Sequence, residues 1–267
     1  MSEAVSARRV TLAAMPPRGR YALSLADDAL IAAQRMGEWI AAAPQIEEDV
    51  ALGNIALDLL GQARSLLTYA GSLNDPALDE DDLAYFRDER DFLNVQLVER
   101  ANGEPRGDFG VAMARLLVLS GYLLELYSRL VSSTDETLAA VAAKAVKEVD
   151  YHFDHARLWV LRLGDGTDES HVRMQAALDA EWPYVEELFD NRHIDPALLA
   201  DGVAVDPAAL RDPWQARVAA VVDEATLSLP EVTPAVTGGR RGVHSTRMGY
   251  LLAEMQHLAR SHPEATW

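Results

Sequence analysis

The sequence contains no cysteine and only two lysines, Lys144 and Lys147. Without cysteine the chain can form no disulfide, offer no thiolate to a metal and hold no iron–sulfur cluster, so we expect a cytoplasmic protein. Basic residues are also scarce, since 42 acidic residues against 24 basic ones give a formal net charge of −18. A surface of that charge repels nucleic-acid phosphates and anionic membranes, and we expect neither as a partner.

Long apolar runs and strand patterns are nearly missing as well. The most apolar stretch, residues 111–127, is interrupted by Arg115 and Glu125 and is shorter than the roughly 20 residues that a membrane span needs. We therefore predict a buried helix there. Extended segments are expected only at residues 203–205 and 227–234. Residues 1–20 lack an apolar core and are interpreted as a mobile leader rather than a signal peptide, which leaves residues 21–267 as a single domain.

Apolar residues that recur every three or four positions predict four long helices. They are expected at residues 21–43, about 46–70, about 108–131 and about 135–163. The first helix should end before Pro44, and Thr134 is the candidate N-cap of the fourth. Residues 77–106 form an acidic crossover between the two hairpins. This layout predicts an all-α, ferritin-like four-helix bundle, with additional C-terminal helices after residue 168.

A di-iron bundle of this type needs a Glu from each of two helices and a Glu-x-x-His from each of the other two. Counting from the hairpin turns at about 1.5 Å per residue puts three carboxylates near one height: Asp27, Asp58 and Glu148. The third helix has Ser120 and Gly121 at that height, and the two histidine positions hold Gly61 and Tyr151. A set that lacks two histidines and one carboxylate binds iron poorly. We therefore predict a degenerate di-iron scaffold with no metal and no catalytic residue.

Other interpretations of the same residues remain open. Glu148, His152 and His155 share one helix face and could form a lone metal site, although a hydrogen-bonded polar patch is the more common arrangement. Asp27 and Asp58 would need partners inside the bundle if no metal is bound. The arginines considered for this are Arg35, Arg64 and Arg157.

The loop TGGRRGVHS at residues 237–245 combines glycines, two arginines and the start of a predicted helix. Backbone N–H groups and guanidinium groups can together hold a phosphate. Arg240, Arg241 and His244 are therefore candidate contacts for the substrate or for a partner protein. The spacing is not that of a P-loop, and a structural loop whose arginines pair with the acidic surface or a partner is the favoured interpretation.

Four blocks of the sequence resemble one protein family: LGNIALDLLGQARSLLTYAG (52–71), AVKEVDYHFDHARLWVLRLGDGTDES (145–170), DEATLSLP (223–230) and TGGRRGVHSTRMGYLLAEMQHLAR (237–260). They resemble the C subunits of the bacterial phenylacetyl-CoA ring epoxidases, which belong to the ferritin-like superfamily. The resemblance extends over about residues 21–267. One departure is that the family's usual His-Thr-Glu reads His244-Ser245-Thr246 here, so a role for that acidic position does not carry over.

The resemblance implies a multicomponent oxygenase of aerobic phenylacetate catabolism. In that complex the di-iron centre lies in a homologous A subunit, which holds most of the acyl-CoA substrate and epoxidises its aromatic ring. The further partners implied are a small B subunit, an accessory protein and a flavin and iron–sulfur reductase that uses NADPH. This chain would then be a non-catalytic structural subunit.

Helix phase suggests where such an A subunit would bind. We expect the outer faces of the first two helices to form the contact, around four residues: Gln34, Trp39, Gln62 and Tyr69. Two alternatives to the structural subunit stay open at this point. One is an active ferritin-like di-iron oxidase or iron-binding protein with an atypical ligand set, and the other is an unrelated helical adaptor.

Overall fold

The structure is a computed structural model that describes residue 10, residues 15–103 and residues 107–265. Most of the predicted leader, residues 1–9 and 11–14, lies outside the described residues. Within the described part, all regular secondary structure is helical, and the one β-contact is an isolated bridge between Gly238 and Val243. The prediction of an all-α fold is confirmed, whereas neither segment expected to be extended forms a strand in the described part.

Ten α-helices are described: α1 Pro17–Gly37, α2 Ile46–Ser72, α3 Glu80–Tyr85, α4 Gln96–Glu99, α5 Phe109–Leu130, α6 Glu136–Gly164, α7 Asp168–Glu181, α8 Pro196–Ala200, α9 Arg211–Glu224 and α10 Thr246–Ser261. Short 3₁₀ segments lie at Glu89–Asp91, Trp182–Phe189, Pro207–Leu210 and Gly239–Arg241. The hairpins α1–α2 and α5–α6 form the predicted four-helix bundle. The segment between them contains α3 and α4, and α7–α10 follow the bundle.

The first helix is displaced from its predicted bounds at both ends. It begins at Pro17 rather than Tyr21, because a proline in the first helical turn has no N–H to lose and already has a helical φ. It ends at Gly37, and a turn that includes Ala41 at φ 62° leads towards α2. Four residues assigned to the leader by the sequence therefore belong to the bundle.

The N-cap of α6 is Asp135, not Thr134 as predicted. Its carboxylate accepts hydrogen bonds from the N–H groups of Thr137 and Leu138 at 3.1 and 3.0 Å. The Thr134 hydroxyl instead donates to the carbonyl oxygen of Asp201 at 2.9 Å. Either residue type caps a helix well, and the contact of Thr134 with the C-terminal region decides between them.

Burial divides the four long helices into two pairs. α1 and α5 are buried around nearly their whole circumference, as is usual for helices inside a large core. Among the described helices, α5 alone is long and apolar enough to cross a membrane, and 89% of its most apolar window is buried within the protein. This confirms the predicted buried helix. α2 and α6 each bury one stripe and expose the opposite side to solvent.

The remaining segments cover α1 and α5 but leave one side of α2 and α6 exposed. α4 packs against α1 and α5, while α7 and α9 pack against α5 and along α6. α10 closes over the crossover by packing on α3 and α4. The outward side of the α2–α6 pair still exposes several large apolar residues, and this is the side of the bundle that the described C-terminal helices leave open.

Candidate functional site

Asp27, the first of the predicted ligand positions, lies in the middle of α1 with no exposed surface. The Arg87 guanidinium, from the crossover, donates to its two carboxylate oxygens at 2.9 and 2.5 Å. The N–H of Leu93 donates to the same carboxylate at 2.8 Å. Arg87 is also fully buried and stacks over the ring of Phe92 at 4.0 Å from its centroid. Asp27 therefore belongs to a buried ion pair directed at the crossover, not at a metal between the helices.

The arginines that we considered as partners for Asp27 and Asp58 bind other groups. Arg35 pairs with Glu38, Arg64 with Glu80 and Arg157 with Asp154. Arg87 was not predicted as the partner, because it is 60 residues from Asp27 and lies in a segment without a helical repeat. No local signal marks such a partner.

The other two predicted carboxylates lie where α2 faces α6, which we call the α2–α6 seam (Glu48, Asp58, Gln62, Glu148, His152, His155 and Trp159). His152 Nε2 lies 3.1 Å from the Asp58 carboxylate. Gln62 donates to Glu148 at 3.0 Å. The structure thus brings Asp58 and Glu148 to one seam, as the height argument predicted, but it does not bring Asp27 to them.

Further along the seam, Glu48 provides a carboxylate that the sequence analysis did not single out. It accepts a hydrogen bond from the indole N–H of Trp159 at 2.8 Å, and His155 Nε2 lies 3.2 Å from it. Burial lowers the pKa of His155, with the Glu48 charge opposing the shift. Burial likewise lowers the pKa of His152 against the opposing effect of Asp58. Both imidazoles are therefore neutral at pH 7.

The two positions that should hold histidines face outwards. The Tyr151 side chain is 52% exposed, and the side-chain atom nearest to a Cβ placed on Gly61 is the ammonium nitrogen of Lys144, at 3.8 Å. The next histidine after Glu148 that faces inwards on α6 is His152, four residues on rather than three. Our assignment of Tyr151 to the interior was wrong, because sequence spacing alone did not fix the rotation of α6 to within one residue.

The third bundle helix, α5, offers no carboxylate at the same height. The Ser120 hydroxyl donates to the carbonyl oxygen of Leu116 at 2.5 Å. Glu125 lies further along the helix, and its carboxylate accepts from Arg129 at 2.7 Å and from Arg217 at 2.8 Å. Its oxygens are directed at these two arginines.

These residues do not fit a di-iron centre. One carboxylate is bound to arginine, the two predicted histidine positions hold an exposed tyrosine and a glycine, and α5 supplies no acid at that height. Nor do Glu148, His152 and His155 converge on one point, because each binds a different residue of α2. In the described residues no group of three or more histidine, aspartate or glutamate side chains is arranged to hold a metal ion.

The arginine loop, residues 237–245, is bound to the bundle by Arg240. The side chain is buried, and its guanidinium donates to the carbonyl oxygens of Ser24 and Leu93 at 3.0 Å each and to the Asp28 carboxylate at 2.6 Å. Burial raises the pKa of Asp28 to about 6, and the charge of Arg240 opposes the shift. The pair is ionised at neutral pH. We therefore revise the interpretation of Arg240: it anchors the loop and does not face a ligand in solution.

His244 also binds inwards, and Arg241 is the one candidate of the three that faces solvent. His244 Nε2 lies 3.0 Å from the carbonyl oxygen of Phe92, and Nδ1 lies 3.4 Å from Glu99. Burial lowers the pKa of His244, but the combined effects of Glu99, the Phe92 carbonyl group and Asp27 raise it above its ordinary value. Arg241 is exposed and donates to the carbonyl oxygen of Thr237 at 3.2 Å.

The four residues expected at the contact with a partner do not form an outer surface. Trp39 is buried, with its ring 5.7 Å from that of Phe109, and Gln62 is buried in the α2–α6 seam. Tyr69 donates its hydroxyl to Asp135, and Gln34 is half-buried. The prediction failed for Gln34 because α1 has no free outer face. It failed for Gln62 and Tyr69 because their side chains bind Glu148 and Asp135 instead of facing solvent.

Exposed apolar residues instead follow the outward side of the seam, which we call the α2–α6 face (Ile46, Val50, Leu57, Leu60, Tyr151 and Leu158). Val50 is 58% exposed, Leu57 65% and Leu158 53%. The α2 members are separated by four, seven and three residues, which puts them on one side of the helix. Several large apolar side chains exposed on one side of a helix are a feature of surfaces that contact another protein.

Comparison with known proteins gives a match over the whole chain. The family described as phenylacetic acid catabolic protein matches residues 1–267. The chain is 47% identical to the C subunit of the 1,2-phenylacetyl-CoA epoxidase of Escherichia coli (strain K12), over 247 residues that make up 92% of this chain and 98% of that protein. The resemblance seen in the four sequence blocks is confirmed.

Proposed function

We propose that this chain, which belongs to the phenylacetic acid catabolic protein family, is the non-catalytic structural subunit of a multicomponent di-iron oxygenase. The complex would epoxidise the aromatic ring of phenylacetyl-CoA. A homologous A subunit would carry the di-iron centre and hold most of the substrate, with a small B subunit and a reductase completing the complex. This chain would contribute an assembled surface rather than a reacting group.

One observation carries the non-catalytic part of the proposal: the bundle keeps its form while its ligand positions hold structural contacts. Asp27 is bound to Arg87 with both side chains fully buried, and Asp58 is bound to His152. A buried carboxylate left alone is unstable, so Asp27 needs a partner if no metal is bound. The Arg87 guanidinium supplies to Asp27 the positive charge that a metal ion would supply in a di-iron bundle.

The α2–α6 face is the surface that we assign to the A subunit. A partner with the same two-hairpin bundle can present its own corresponding face, and two such faces form a pseudo-symmetric contact. Obligate contacts commonly bury roughly 2,000 Å² or more and have an apolar centre. The exposed side chains of Val50, Leu57 and Leu158 supply an apolar centre. The contact would extend along the exposed sides of both α2 and α6.

Charge introduced on this face tests the assignment. The variant Val50→Asp/Leu57→Asp should lose co-purification with an A-type subunit and, with it, epoxidation by the assembled complex. Val172→Asp/Leu258→Asp is the matched control, because these residues are 66% and 53% exposed on α7 and α10 and add the same two charges elsewhere. Circular dichroism should report the same helix content for both variants.

Two outcomes would contradict these assignments. If the α2–α6 face variant still co-purifies and turns over like the control, the contact with the A subunit lies elsewhere. If the wild-type chain does not associate with an A-type subunit at all, the assignment as a subunit of this oxygenase is wrong.

A further inference from the structure

A cavity of about 500 Å³ lies between the start of α1, the crossover and the arginine loop. Five arginines line it, with a single carboxylate among the lining residues: Arg20, Arg90, Arg192, Arg240, Arg241 and Asp91. This concentration of positive charge is unexpected in a chain whose formal net charge is −18. Clustered guanidinium groups repel one another, so an ordinary acidic protein surface would not be expected to gather them around one concave site.

The ion pairs in and near the cavity leave part of this charge uncompensated. Arg240 is bound to Asp28 at 2.6 Å, and Arg192 is bound to Asp190 at 2.6 Å. For Arg90 and Arg241, by contrast, the described residues provide no ion pair, and both side chains belong to exposed residues. Arg241 keeps one hydrogen bond, to a carbonyl oxygen. Two guanidinium groups are thus available to an anion.

His193, which also lines the cavity, reflects the positive potential there. Burial lowers its pKa to about 3, and the charges of Arg240 and Arg20 act in the same direction. The imidazole is therefore neutral at physiological pH and adds no positive charge. Its Nδ1 atom is buried without a hydrogen-bond partner in the described part of the chain.

Two glycines fix the arginine loop against the crossover and so build the cavity. A Cβ on Gly239 would come 2.0 Å from the carbonyl oxygen of Asn94. A Cβ on Gly242 would come 2.1 Å from the carbonyl oxygen of Arg90, and Gly242 also has φ 71°, a conformation that side chains disfavour. This close packing holds the loop with Arg240 buried in the bundle, while Arg241 and Arg90 both line the cavity.

We propose that this cavity binds the phosphate groups of an anionic small molecule through Arg90 and Arg241. Guanidinium groups bind phosphate through paired, charge-assisted hydrogen bonds, and arginine suits this task better than lysine does. A compact phosphate suits this site better than a long acidic segment of another protein, because the arginines line one depression of about 500 Å³. The candidate ligand CoA follows only from the proposed function, whereas the phosphate site itself does not depend on it.

Calorimetric titration of the full chain at low ionic strength tests the site with three probes: inorganic phosphate, CoA and 3′-dephospho-CoA. We expect saturable binding of CoA that weakens as salt is added. Arg90→Ala/Arg241→Ala should lower the affinity at least about tenfold, because it removes two groups that donate charge-assisted hydrogen bonds to the phosphate. Arg64→Ala/Arg173→Ala is the control, because both arginines are exposed elsewhere.

The probes separate the sources of the phosphate. Tighter binding of CoA than of dephospho-CoA would support recognition of the 3′-phosphate, equal binding would support recognition of the diphosphate, and binding of inorganic phosphate as tight as that of CoA would support a phosphate site while removing CoA as its ligand. An absence of saturable binding by all three probes would overturn the proposal. An equal loss of affinity in the control variant would also overturn it. A hexaglutamate peptide serves as a fourth probe, and selective binding of this peptide over the three phosphate compounds would overturn the proposal too. None of these results alters the co-purification test of the α2–α6 face.

Discussion

Acidic residues lie on two sides of the bundle, at or next to the positions where a di-iron protein would hold its ligands. The acidic residues of the two sides have different partners. On α1, Asp27 binds Arg87 and Asp28 binds Arg240, with all four side chains buried. At the α2–α6 seam, Asp58 lies beside the neutral imidazole of His152 and is itself 37% exposed. One side has ion pairs sealed in the core, and the other has a hydrogen-bonded seam next to solvent.

The difference follows from burial. A carboxylate with no access to water needs a full opposite charge, and arginine keeps that charge at every accessible pH. A carboxylate that still reaches water is partly stabilised by the solvent, so a hydrogen bond from a neutral histidine is enough. The α1 side should therefore contribute mainly to folding stability, whereas the α2–α6 side should tolerate substitution within the seam and contribute to assembly through its outward face.

The largest effect should come from breaking the α1 pair. Arg87→Met leaves the Asp27 carboxylate buried without its compensating charge, and we expect the free energy of unfolding to fall by about 3–5 kcal/mol, as measured by denaturant titration. Asp27→Leu/Arg87→Met should recover most of that loss, because it removes both charges. A loss below about 1 kcal/mol in the single variant would show that this pair is not the structural element we describe.

A smaller effect should appear at the seam as pH is lowered. Burial puts the folded-state pKa of His152 below its ordinary 6.5, so below pH 6.5 the unfolded chain takes up a proton that the folded chain does not. The contribution of neutral His152 to the free energy of unfolding is therefore fully present above pH 6.5 and is lost progressively as the pH falls below 6.5. By pH 5.5 the loss from this residue is limited to about 1.4 kcal/mol.

His152→Gln isolates this contribution. The variant should show a smaller drop in unfolding free energy between pH 7.5 and 5.5 than the wild-type chain shows. The comparison with wild type is necessary because Asp28, whose pKa is raised to about 6, acts in the opposite direction and is common to both. Identical slopes in the two proteins would contradict a buried, neutral His152.

The smallest effect is expected for Glu148→Ala. Glu148 binds Gln62 and pairs with the exposed Lys144 at 3.2 Å, and a partly exposed pair of this kind contributes roughly 0–1 kcal/mol. The assembled complex should keep nearly all of its turnover, measured as epoxide formation from phenylacetyl-CoA. Loss of turnover in a folded, correctly assembled variant complex would mean that Glu148 takes part in the reaction.

Local sequence patterns were enough for the architecture. Apolar periodicity located α2, α5 and α6 closely, whereas the assignment of Gly61 and Ser120 to vacant ligand positions stays a prediction. The partners of the buried charges could not be found in this way. Arg87 and Arg240 reach Asp27 and Asp28 across 60 and 212 residues, and no repeat connects segments so far apart.

Errors of phase account for the other differences. Tyr151 is exposed and its neighbour His152 is buried. The spacing of apolar residues does not fix the rotation of α6 precisely enough to tell which of the two faces inwards. α1 is buried on all sides, so a search for its outer face gave Trp39, which lies in the core. The arginine cavity had only a partial signal, because Arg20, Arg90, Arg192 and Arg241 come from four separate segments.

Iron binding by the chain purified alone tests the central claim most directly. The full chain would be incubated with ferrous iron under anaerobic conditions, freed of unbound metal and analysed for iron per chain. The structural-subunit account predicts iron far below one equivalent, with no change after Asp58→Ala/Glu148→Ala. A content of about two irons per chain, as in a two-metal site, that is lost in this variant would contradict the account and identify the chain as an iron-binding oxidase.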